Sequence, residues 1–105
     1  MTTLSRKDAI AALQEGKTAS IKCSGNSMRP RIVTKSLVTL EPCTAEDVAV
    51  GDALLCKVRG NVYVHLATAI KGGKGKRQIQ ISNNHGHVNG WTRTIYGRVT
   101  KVEKP

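Results

Sequence analysis

The segment Ser24-Gly25-Asn26-Ser27-Met28-Arg29-Pro30 concentrates the chain's reactive potential. Ser27 follows an apolar alternation at Ala19, Ile21 and Cys23, so a strand delivers it into a loop. Gly25 opens that loop with a backbone most residues resist, and Pro30 fixes its exit. A loop of this kind can expose a hydroxyl and aim backbone N–H groups at a neighbouring oxyanion. A serine in a turn is equally an ordinary turn residue, and spacing alone does not choose between the two.

The other chemistry-bearing residues point to less. Cys23, Cys43 and Cys56 form no CxxC pair, and an odd number excludes a complete disulfide framework. His85 and His87 lack the paired cysteines of a zinc site, so no metal and no cofactor is expected. Cys23 and Cys56 lie in apolar stretches and read as small buried hydrophobes.

The elements that would position Ser27 are short strands. Ser5 can cap a helix carrying Ala9, Ile10, Ala12 and Leu13, which Gly16 stops. Thereafter strands are expected over 19–23, 37–40, 53–58, 62–70, 78–82 and 95–102, with a single helical turn at 44–47. Gly60-Asn61 is a tight turn, and Lys71-Gly72-Gly73-Lys74-Gly75-Lys76-Arg77 has the composition of a mobile hairpin tip. The expectation is one domain over 1–105, with a helical 1–16 and a β unit over 17–102. Its fold class is mainly β, a coiled antiparallel sheet or partial barrel with one short N-terminal helix.

Composition narrows the function. The 105 residues carry 17 Lys plus Arg against 7 Asp plus Glu, a formal charge of +10. Residues 53–105 hold 10 of those bases and a single acid, Glu103. Such a surface suits nucleic acid or another acidic partner, with Lys71, Lys74, Lys76 and Arg77 as the contact residues. Only Tyr63, Trp91 and Tyr96 are aromatic, so base stacking would be sparse and binding salt-sensitive. No apolar run reaches the about 18–20 residues of a membrane span, and no signal-peptide pattern opens the chain. A cytoplasmic protein without a membrane span is therefore expected.

The serine segment resembles the Ser-Gly-x-Ser-Met-x-Pro box of the signal peptidase and SOS-repressor-type serine peptidase superfamily. Further pieces follow in that family's order. Val50-Gly51-Asp52-Ala53-Leu54-Leu55-Cys56-Lys57-Val58 resembles its Gly-Asp-hydrophobic strand, and Val62-Tyr63-Val64-His65-Leu66 the strand bearing its general base. Ser82-Asn83-Asn84 and Val88-Asn89-Gly90-Trp91 resemble its Gly-Asp-Asn region and the Val-Asp positions beyond, and Gly97-Arg98-Val99 its terminal strand. The likeness covers roughly 17–102.

The resemblance implies the signal-peptidase or repressor C-terminal type of β fold. It implies Ser27 as nucleophile, with the Gly25, Asn26 and Ser27 loop forming the oxyanion hole, and a peptide bound as an added strand. It assigns the general base to His65, where bacterial signal peptidases carry lysine and the archaeal and endoplasmic-reticulum enzymes carry histidine. An imidazole with a pKa near about 6.5 can take the serine proton at neutral pH. By strand alternation His65 shares its face with Tyr63, Ala67 and Ala69. A half-buried histidine that simply fills the sheet is the competing reading.

The orienting aspartate of the histidine-type members is missing. Asn83 and Asn89 stand in its region, and Asp52 is a further candidate from a neighbouring strand. Thr34-Lys35-Ser36 replaces the repressor-type Asp-Gly-Asp turn, and residues 1–16 contain no Ala-Gly bond for self-cleavage. Three functions remain open: a small serine peptidase using Ser27 and His65, a catalytically degenerate binding or assembly module, and a nucleic-acid-binding β domain. A compact member without an anchor fits a phage or mobile element, and then a virion-associated protein. Oligomeric state is left open.

Overall fold

The apolar segments fold into seven strands in the computed structural model, which describes residues 3–25 and 27–105. The elements run α1 (Arg6–Gln14), β1 (Ala19–Lys22), β2 (Leu37–Pro42), a 3-10 turn (Ala45–Asp47), β3 (Ala53–Val58), β4 (Asn61–Lys71), β5 (Gln78–Ser82), β6 (Val88–Thr92) and β7 (Ile95–Glu103). They form one antiparallel sheet in the order β1-β2-β7-β3-β4-β5-β6, which does not close. The mainly β expectation holds, with one short helix.

β3 is the central strand, and its sequence Ala-Leu-Leu-Cys-Lys-Val shows why. Ala53 and Leu55 face one apolar cluster, together with Ile21, Val38, Leu40 and Val64. Leu54, Cys56 and Val58 face a second, with Ile79 and Ile81. A strand covered on both faces reads as a continuous apolar run rather than an alternation. Each fully buried leucine contributes about 1.5–3 kcal/mol of transfer free energy.

Ser5 caps α1 as its spacing suggests, its Oγ accepting the Asp8 N–H at 3.1 Å. Ala9 and Leu13 are the buried residues of the helix. Leu13 sits over Gly97 of β7, where an added Cβ would lie 2.9 Å from Leu13 Cδ1 and 3.0 Å from the Glu41 carbonyl oxygen. Glycine is thus what lets α1 approach the sheet. Just before α1, the Leu4 N–H donates to the Ser20 carbonyl at 2.8 Å, and Leu4 bridges Ile21 in parallel.

Two features differ from the sequence reading. Residues 88–92 form a seventh strand although Asn89-Gly90 looks like a turn signal. The 71–77 tip, expected to be mobile, is tied down. The Arg77 guanidinium donates to the Glu46 and Val48 carbonyls at 2.6 and 2.8 Å, and the Gly75 N–H reaches the Glu46 carboxylate. Among the described residues no helix is long and apolar enough to cross a membrane.

Candidate active site

The end of β1 and the first half of β4 face each other across a cleft, and each presents one reactive side chain. Ser27 lies five residues beyond Lys22, the end of β1, in a turn that is stitched on both sides. On one side the Cys23 N–H donates to the Ser36 carbonyl at 2.9 Å and the Lys35 N–H to the Cys23 carbonyl at 2.7 Å. The Gly25 N–H reaches Thr34 Oγ1 at 3.3 Å. Thr34-Lys35-Ser36 therefore still forms the turn it occupies, with Lys35 at a left-handed φ of 67°. On the other side Asn84 holds the loop twice. Its backbone N–H donates to the Ser27 carbonyl at 2.7 Å, and its side-chain amide donates to the Arg29 carbonyl at 2.8 Å.

His65 comes from β4, opposite Leu54 of β3, and is only 6% exposed. Its Nε2 lies 3.0 Å from Ser27 Oγ, and its Nδ1 lies 2.6 Å from Asn89 Oδ1. Tyr63 stacks on the imidazole with centroids 4.6 Å apart and planes inclined by 18°. The ring is thus fixed at both nitrogens and on one face. Burial holds the His65 pKa below its ordinary 6.5, the Asn89 hydrogen bond works against this, and the charges of Arg6 and His87 add to the lowering. At neutral pH the imidazole is uncharged, the form that accepts a proton.

Asn89 reaches the ring because of a bulge. Ile81 of β5 pairs with Gly90 and Ser82 pairs with Val88, so Asn89 is the extra residue between two paired positions. Bulges turn a side chain away from the regular alternation and recur beside active sites. Gly90 takes a φ of 141°, in a range that side-chain-bearing residues rarely adopt.

The remaining candidates fall elsewhere. Asn83 is not on the imidazole: its Oδ1 accepts the backbone N–H groups of His85 and His87 at 2.8 and 3.0 Å, closing the turn between β5 and β6. Nor is Asp52 a partner of the ring: its carboxylate accepts the Ala49 N–H at 2.9 Å and faces Arg98 at 3.7 Å. Gly25 lines the cleft, and Asn26 lies outside the described residues. Tyr63 and Ala67 keep their side of β4, but a bulge at Thr68 reverses the alternation, so Ile70 rather than Ala69 joins Ala67 on the second cluster. Of the basic residues, Arg77 is spent on Glu46 and Val48, and Lys71 Nζ lies 4.2 Å from the centroid of the Trp91 ring. Lys74 and Lys76 are exposed. Among the described residues no group of three or more His, Cys, Asp or Glu is placed to hold a metal ion.

Three contributors were not singled out from sequence: Asn84, Tyr63 as a ring partner, and Arg6. Arg6 opens α1, and its Nη1 donates to the Val62 carbonyl at 2.8 Å. It lines a cavity of about 240 Å³ together with Cys23, Ser27, Met28, Val64 and His65. β5 pairs with β4 only from Leu66 onward, so residues 61–65 are laddered on one side alone, to β3. The other edge of that stretch runs along the cavity. In comparisons with known proteins, no family model matches the chain and no curated protein matches it.

Proposed function

We propose that the chain is a small serine peptidase-like hydrolase in which Ser27 attacks a peptide carbonyl and His65 is the general base. The observation that carries this reading is the run of contacts from Ser27 Oγ to His65 Nε2 at 3.0 Å and from His65 Nδ1 to Asn89 Oδ1 at 2.6 Å. An amide oxygen can only accept, so Nδ1 carries the proton and donates it to Asn89. That tautomer leaves the Nε2 lone pair free to accept the Ser27 O–H.

The chemistry follows in two halves. Oγ bonds to the substrate carbonyl carbon while its proton moves to Nε2, and the oxyanion is met by the backbone N–H of Ser27, the Gly25 N–H being held by Thr34 Oγ1. The imidazolium then protonates the leaving amine, and the C–N bond breaks to give an acyl-serine. Water then attacks the acyl carbon as its proton moves to Nε2, and the imidazolium returns that proton to Ser27 Oγ as the C–Oγ bond breaks and the acid leaves. The one-sided edge of β4 at 61–65 supports a peptide bound as an added strand.

One observation favours a second reading, a binding module on the same fold. Asn89 orients the ring but supplies no countercharge to the imidazolium. In a serine triad, replacing the aspartate by asparagine costs about 10⁴ in turnover by leaving the wrong tautomer. Here the tautomer is the productive one, and only the charge is lost. Incubation with a mixture of unstructured peptides, read by mass spectrometry for new termini, separates the two. The peptidase reading expects cleavage by the wild type and none by Ser27→Ala; identical peptide patterns for both would leave the binding module.

A further inference from the structure

The cleft beside Ser27 joins an apolar wall to the polar side chains of Ser24, Ser27, Tyr63 and His65, with one cation, Arg6, at its rim. Cys23, Met28, Ile32 and Val64 supply the wall, and among the described residues Arg6 is the one side chain in the lining with a permanent charge. Among the described residues no carboxylate lines this cavity, and none occurs in the sequence between Asp52 and Glu103. Arg6 uses Nη1 on the Val62 carbonyl, which fixes the guanidinium at the free edge of β4. A guanidinium has five N–H donors in a rigid fork, so further donors remain for a ligand. Its charge is felt in the cleft: it opposes the burial that raises the Cys23 pKa and adds to the burial that lowers that of His65.

We infer that Arg6 is a specificity-determining residue that makes this cleft select peptides carrying a glutamate or aspartate side chain beside the reacting bond. The inference rests on the peptide-binding reading of the site and names its substrate class. The apolar wall would take the methylene stem of the acidic residue, and the guanidinium at the rim its carboxylate. The basic surface would add attraction for an acidic peptide over longer range. A positively charged side chain at the same position would meet Arg6 without any compensating acid.

The test measures binding apart from turnover. Fluorescein-labelled, alanine-based octapeptides, each with one Glu, Gln or Lys scanned along its length, are titrated against the full chain carrying Ser27→Ala. Arg6 is exposed, so Glu peptides should bind about twofold to fivefold more tightly than the matched Gln peptides at one position of the scan, and Lys peptides more weakly still. Arg6→Lys should retain a Glu preference, Arg6→Gln should abolish it, and Arg6→Glu should turn it toward Lys. Circular dichroism checks that each variant is folded, and Arg6→Lys controls for loss of the Val62 contact. Equal affinity for Glu and Gln peptides, a preference that survives Arg6→Gln, or no binding of any peptide would overturn the inference. Charge-selective binding without cleavage by the wild type would refute the peptidase reading while upholding the acidic specificity. Cleavage without charge preference would do the reverse.

Discussion

Replacing Asn89 by aspartate changes one atom type at the site and tests the electrostatics of the imidazole directly. The Asn89 oxygen already accepts from Nδ1 at 2.6 Å, so the new carboxylate needs no rearrangement to reach the ring. Opposite charges about 4 Å apart, at an effective dielectric of about 20, interact by about 4 kcal/mol. At about 1.36 kcal/mol per pKa unit, that is an upper bound of about three units. Asn89 is half-buried, and desolvating a carboxylate there takes back part of the gain. A rise of about 1–2 units in the His65 pKa is therefore expected, measured by NMR titration of the imidazole resonances with His65→Gln as the assignment control. In the proposed mechanism the same charge would stabilise the imidazolium formed as Ser27 attacks. At pH values above the new pKa, kcat/KM should thus rise about 10-fold to 100-fold. At pH 6 the gain should shrink, because more of the base is then protonated. A His65 pKa that stays where it was, or falls, would refute the placement of Asn89 against the ring.

Other consequences can be read in the same protein. The His65 pKa lies below 6.5, lowered chiefly by burial, with Arg6 from α1 and His87 from the β5–β6 turn adding to it and Asn89 opposing. The reactivity of Ser27 should accordingly rise through an ionisation below pH 6.5 and be flat through neutrality. For stability the sign is set by proton binding: the unfolded histidine takes up a proton first, so urea stability should fall as pH drops from about 6.5 through the folded pKa. His65→Gln should remove that part of the pH dependence. Asn84→Ala deletes the side-chain hydrogen bond to the Arg29 carbonyl while leaving the backbone hydrogen bond to Ser27. It should cost about 0.5–1.5 kcal/mol in urea unfolding and slow Ser27 modification more than the stability loss explains. Gly97→Ala places a Cβ 2.9 Å from Leu13 Cδ1 and 3.0 Å from the Glu41 carbonyl. It should destabilise the chain by about 1–3 kcal/mol in urea unfolding, with little effect on the charge state of His65.

Much of this arrangement is legible in the sequence where the physics is local. Ser5 announces the start of α1, and the apolar residues of β3, β4 and β5 announce strands, because burial dictates their spacing. The opening of the serine loop is legible too, since Gly25 and Pro30 flank it. β6 is hidden because its defining feature is a defect. Val88-Asn89-Gly90-Trp91-Thr92 breaks strand alternation with a bulge, and that same break turns Asn89 onto His65. The choice of Asn89 over Asn83 and Asp52 is likewise set by register, which depends on pairing partners far along the chain. The two hydrogen bonds from Asn84 to the serine loop use one backbone and one side-chain donor, and neither leaves a pattern in residue types. Arg6 reaches Val62 over 56 positions of sequence, a contact that only the packing of α1 against the sheet creates. The tip at 71–77 misled for the opposite reason: its composition is that of a loose loop, yet Arg77 finds two backbone carbonyls on the turn after β2.

The central claim is that His65 activates Ser27. It is tested most directly by the rate and site of covalent modification with a serine-directed fluorophosphonate, read by intact-mass and peptide mass spectrometry. The account predicts a single adduct on Ser27 in the wild type, none on Ser27→Ala, and a rate at least about 100-fold slower in His65→Ala. A wild type that stays unmodified, or one modified at the same rate with and without the imidazole, would contradict it.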